Sequence, residues 1–144
     1  MSVDERTAWR TAHRQAVELR TAAEERRRSE ETERARKLVA WFTREAQQCG
    51  IRPTVLTAVG YNGRTRYRTA LTGWYVDVAH SRAVSVAGDY YLLTVAGGLR
   101  ARLLGASIQP QDPRLVVGEG GRDGQSVPLR DLLQRRLAAG DDWP

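Results

Sequence analysis

Apolar residues in the first fifty positions recur at helical spacing, and neither Pro nor Gly interrupts them before Gly50. The stretch is rich in Ala, Glu, Arg and Gln, all good helix formers. Ser2 or Asp4 supplies a start, and Gly50 followed by Pro53 supplies a stop. At about 1.5 Å per residue such a helix spans roughly 70 Å, about twice the width of a small domain, so it cannot lie wholly on its own core. Its apolar positions form two stripes. Trp9, Ala12, Ala16, Leu19 and Ala23 follow a 3-4-3-4 spacing, the seam of a coiled-coil-like face. Continuing that register would put Arg26, Glu30, Glu33 and Lys37 on the seam, so it stops there. Ala35, Leu38, Phe42 and Cys49, with Val39, Trp41 and Ala46 beside them, make a second and bulkier stripe, in which Cys49 reads as a small buried hydrophobe. Residues 24–34 hold no apolar side chain. Glu24 with Arg28, Glu30 with Arg34 and Glu33 with Lys37 are favourable i,i+4 pairs, each worth about 0.2–0.5 kcal/mol. That middle either stays helical in water or forms a hinge between two shorter helices.

Beyond Pro53 the period shortens to two. Residues 54–59, Thr-Val-Leu-Thr-Ala-Val, are largely β-branched and are bounded by Pro53 and Gly60. Residues 66–78 alternate, with Ala70, Thr72, Trp74, Val76 and Val78 on one face and Thr69, Leu71, Tyr75 and Asp77 on the other. Residues 83–86 and 90–95 flank Ala87, Gly88 and Asp89, a hairpin signal. Gly97 and Gly98 make another turn, after which Leu99, Ala101 and Leu103 alternate with Arg100 and Arg102 as a further strand. A short strand follows at residues 114–117. Short turns between five or six strands predict an antiparallel meander. The end is helical again: Ser126 reads as N-cap, Pro128 fits the first turn, Leu129, Leu132, Leu133 and Leu137 share a face, and Gly140 ends it.

The fold expected is therefore α+β, with a long N-terminal helix, a curved antiparallel sheet of about five strands and a C-terminal helix covering one face. The division expected is a projecting charged arm over residues 1–34, a compact domain over 35–140 and a short tail over 141–144. Leu38, Trp41, Phe42, Val55, Trp74, Val76, Val84, Leu92, Leu99, Leu103, Leu129, Leu132 and Leu133 are the expected core.

Composition narrows the class. At 144 residues, with 41% apolar and 28% charged side chains, the chain is too apolar for wholesale disorder and fits one domain. No run nears the roughly 18 apolar residues of a membrane span, and the start lacks a secretory apolar stretch, so a cytoplasmic protein without a membrane partner is expected. Cys49 is the only cysteine, which excludes an internal disulfide. The net charge is +6, from 22 arginines, one lysine and 17 acidic residues. Such an Arg bias is of the kind a GC-rich bacterial genome imposes, which weakens Arg enrichment as a sign of anion recognition. The excess is uneven: +2 over residues 1–49, +5 over 50–110 and −1 over 111–144.

Catalytic chemistry is thinly provided. Asp77, His80 and Ser81 are the nearest approach to a triad, yet adjacent residues on an extended chain point apart, so they read as a turn. His13, His80, Cys49 and the carboxylates lack metal-ligand spacings, so neither a metal nor a cofactor is expected. The Gly-rich residues 118–124 precede a helix but match no phosphate-binding fingerprint and read as a surface loop. Two signals are stronger. The seam of Trp9, Ala12, Ala16, Leu19 and Ala23 lies on a projecting helix, which is how a chain meets another helix. Arg64, Arg66, Tyr67 and Arg68, with Tyr61 near, combine cations and aromatics in the way that holds phosphates and stacks bases. The function expected is a non-enzymatic interaction or assembly module whose partner is another protein or a second copy. A nucleic-acid-binding accessory protein is the alternative, and a small enzyme the third reading.

Overall fold

The computed structural model describes residues 2–118 and 126–144. The first helix, α1 (Val3–Gln48), is continuous over 46 residues, about 69 Å, with no hinge in the charged middle. Its start is a capping box: the Glu5 amide donates to the Ser2 hydroxyl, and the Ser2 amide donates to the Glu5 carboxylate. Gly50, at φ +68°, ends it. Cys49 is the C-cap and is exposed, so the expectation of a buried thiol is corrected: the second stripe ends at Ala46.

After α1 come β1 (Thr54–Gly60), β2 (Arg66–Tyr75), β3 (Arg82–Ser85), β4 (Tyr90–Leu92) and β5 (Thr94–Val95), then α2 (Leu99–Leu104), β6 (Val116–Val117), β7 (Val127–Pro128) and α3 (Leu129–Ala139). β1 to β5 form one sheet in the order β4-β3-β2-β1-β5, and β6 and β7 form a two-stranded antiparallel pair. In a flat sheet β4 and β5 would stand about 19 Å apart, yet Leu93 alone separates them. The sheet is therefore curled until one chain segment, residues 90–95, joins its two ends. The β1 and β5 pairing is parallel, so the sheet is mixed and not the antiparallel meander expected from short turns. The Leu93 carbonyl accepts from the Val59 amide while its own amide donates to Ser81.

Two cores result. On the concave side Leu56, Ala58, Ala83, Tyr91 and Leu93 pack together, with Leu71, Tyr75, Ala106 and Ile108 at their margin. On the convex side the second stripe of α1 (Ala35, Val39, Phe42, Ala46) meets Trp74, Val76 and Val84, and α3 adds Leu129 and Leu133. Phe42 and Trp74 meet edge to face with centroids 5.9 Å apart, and the Trp74 indole donates to the Ile51 carbonyl. Gly73 is required where β2 crosses β3, since a Cβ there would overlap the Val84 carbonyl oxygen.

Several sequence expectations fail, each for a local reason. Residues 99–103 are helical because Leu, Arg and Ala are strong helix formers and no neighbouring strand pairs with them. Leu99 and Leu103 are thus exposed and not core. Val55 and Leu92 are exposed as well: Val55 faces an uncovered part of the convex side, and Leu92 points away from the concave core that takes Tyr91 and Leu93. Ser126 caps nothing, because Val127 and Pro128 pair with β6 and α3 begins only at Leu129. Buried Arg136 was invisible in the sequence: its Nε donates to the Tyr75 carbonyl (2.8 Å) and its Nη1 to the Gly140 carbonyl (2.6 Å). Residues 141–144 are strapped down, with Asp141 accepting from the Arg52 amide and the Trp143 ring beneath the Arg136 guanidinium. Among the described residues no helix is long and apolar enough to cross a membrane.

Candidate interaction surface

Burial along α1 starts late. Residues 2–30 are exposed except for half-buried Ala23, and Ala35 is the first buried residue. Because the helix does not break, the 3.6-residue period brings Trp9, Ala12, Ala16, Leu19 and Ala23 onto one face, as their spacing predicts. Trp9 is 62% exposed and Leu19 70%, on turns that hold no buried residue. The Trp9 and His13 rings stack at 5.3 Å, which orders the indole without covering it. Neighbouring positions make the two edges of this face unlike. Ala8, Gln15 and Ala22 carry no charge on one edge; His13, Arg20 and Arg27 line the other.

The basic cluster is only partly assembled. Arg64 lies in the turn between β1 and β2, where the Asn62 carboxamide oxygen accepts from the Arg64 and Thr65 amides. Arg66 and Arg68 are exposed on the uncovered part of the convex face, and Arg66 donates to Thr57 Oγ1. Tyr67 is not with them. The strand alternation turns it to the concave side, where it is buried against Gly97, so it offers no face to a base. Tyr61 stays exposed in the turn.

Asp77, His80 and Ser81 do form a turn. Asp77 accepts from the Ser81 amide and hydroxyl and from the Arg82 amide and guanidinium. His80, at φ +57°, stacks on Tyr75 with centroids 4.0 Å apart and meets the Pro144 carbonyl through Nε2. The imidazole therefore does not stand between Asp77 and Ser81, and the arrangement cannot relay a proton from the hydroxyl. Among the described residues no three His, Cys, Asp or Glu side chains are grouped to hold a metal ion. Of residues 118–124 only Gly118 lies within the described chain.

The sequence did not signal two open hollows. One, of about 830 Å³, is bordered by Tyr61, Arg82, Leu92, Arg100 and Ala101. The other, of about 1040 Å³, separates α1 from residues 111–118; Arg28, Arg36, Tyr90 and Arg114 line it, and Arg36 is paired with Asp112. Only distant contacts create them, so no local pattern would have found them. Burial raises the Tyr90 hydroxyl pKa, partly offset by the nearby Arg82 guanidinium, and burial lowers that of Arg136. No protein-family model matches this sequence, and comparison with curated proteins and with solved structures finds no match, so any function must be read from the chain's own residues.

Proposed function

We propose that this protein is a non-enzymatic interaction or assembly module that meets a partner helix through the outer part of α1. The observation that carries the reading is an uninterrupted helix whose first eight turns hold no fully buried residue while presenting Trp9 and Leu19 on one regular face. A second copy is the partner its edges suit, in parallel orientation. Parallel pairing sets the uncharged edge of one helix (Ala8, Gln15, Ala22) against the basic edge of the other (His13, Arg20, Arg27). Antiparallel pairing would bring Arg20 against His13, and basic against basic. Three alanines on the face allow close approach but bury little, so association is expected to be weak and concentration-dependent. The test is a Leu19→Cys chain in a Cys49→Ser background. Parallel pairing brings the two residues 19 within disulfide reach, and mild oxidation gives a covalent dimer. Arg14→Cys, on the outer surface of the helix, gives none. Equal yields from both positions would contradict the reading.

Nucleic-acid binding is the second reading, favoured by the exposure of Arg64, Arg66 and Arg68. With Tyr67 buried it reduces to phosphate contact. Replacing the three arginines with Gln then flattens the slope of log affinity against log salt on a duplex by about two to three units. Weak polyanion retention that the replacement barely alters would remove it.

A further inference from the structure

α2 is a helix whose three leucines are left uncovered. None of its six residues is buried, and Leu99, Leu103 and Leu104 are 72%, 75% and 76% exposed. The helix is nonetheless held in place at both ends. Before it, Gly97 lies so close to the Tyr67 hydroxyl that no side chain fits there. After it, Gly105 takes φ +83°, and the Ala106 amide donates to the Arg68 carbonyl at 2.7 Å. The turn between β1 and β2 stands beside it, since Tyr61 and Arg100 border the same hollow. Residues 60–70 and 96–108 contain five arginines, Arg64, Arg66, Arg68, Arg100 and Arg102, and no Asp or Glu.

We propose that α2 and the adjoining β1–β2 turn dock this protein on the surface of an anionic lipid bilayer. Leu99, Leu103 and Leu104 enter the boundary between headgroups and acyl chains, while Arg100, Arg102 and Arg64 pair with lipid phosphates. Charge and apolarity together favour this occupant. A nucleic acid would engage the arginines and leave three leucines in water. A second copy meeting this patch face to face would set arginines against arginines. The absence of a spanning helix among the described residues does not bear on it, because contact in the plane of the interface needs no span. The surface is also separate from the outer part of α1, so each is tested independently.

The experiment is co-sedimentation of the full chain with vesicles of phosphatidylglycerol mixed into phosphatidylcholine, against phosphatidylcholine alone. Binding to the anionic vesicles alone is expected, weakening as salt rises. Leu99→Ser, Leu103→Ser and Leu104→Ser together lower the partition by about tenfold or more, with an unchanged thermal melt because all three are exposed. Arg100→Gln with Arg102→Gln lowers it by about fivefold for each charge removed. A leucine variant that partitions like the wild type reveals bare charge attraction and overturns the proposal. So does a leucine variant whose particle mass falls in the absence of lipid, or retention on duplex DNA without retention on anionic vesicles.

Discussion

Arg136 illustrates what single residues hide and reveal. On a helix rich in arginine its burial had no sequence signal, because the groups that receive it, the Tyr75 and Gly140 carbonyls, come together only in the folded chain. A hydrogen bond from a charged donor is worth about 1.5–3 kcal/mol. Arg136→Met removes two such bonds and should therefore lower the unfolding free energy by about 3 kcal/mol or more in urea titration, whereas Arg135→Met, an exposed neighbour, should change it little. An equal effect of both would show that the two carbonyls are satisfied otherwise. A second residue-scale consequence concerns pH. Burial raises Tyr90 and Tyr91 above the ordinary 10.0, so the unfolded chain releases those protons first as pH rises. Stability is then fully present below pH 10 and falls as pH climbs through and beyond that value. Tyr90→Phe should remove part of the fall in urea midpoint across that range; parallel profiles for both chains would contradict the assignment.

Individual elements were legible in proportion to how local their causes are. α1 could be read from composition and spacing alone, down to its Ser2 start and Gly50 stop, and the charged middle carries the helix through without a hinge. β1, β2 and the hairpin at Gly88 were equally clear, since alternation and turn residues are short-range signals. α2 was misread because five alternating residues fit a strand and a short helix alike, and only the absent partner strand decides. The parallel placement of β5 was out of reach, as it depends on the sheet curling round at Leu93. For the candidate site, the Trp9 and Leu19 face was legible because one helix carries all of it. Of Arg64, Arg66, Tyr67 and Arg68, the arginines are exposed while Tyr67 is buried, because adjacent strand residues face opposite ways. The two parts of α1 should behave as separate things in solution. Phe42→Ala, in the inner part, should cost about 3–5 kcal/mol of unfolding free energy. Deleting residues 1–30, which hold no buried side chain among those described, should cost less than about 1 kcal/mol. Loss of a cooperative melt after that deletion would place the outer turns in the core.

For the whole molecule, the curled sheet, α3 and the inner turns of α1 make a body with its two apolar clusters already filled. The outer turns of α1 add length without adding core, and an isolated helix of that length is only marginally stable in water. In the proposed reading, a partner along the Trp9 and Leu19 face supplies what the body does not. Sedimentation equilibrium over a wide concentration range measures this most directly, on the full chain and on Trp9→Ala with Leu19→Glu. Assembly through α1 predicts an average mass that climbs from 16.1 kDa toward twice that value as concentration rises. The double variant should stay at the monomer mass throughout with an unchanged melt, since both positions are exposed in the single chain. A wild-type mass that holds at 16.1 kDa at every concentration, or a double variant that associates as the wild type does, would contradict it.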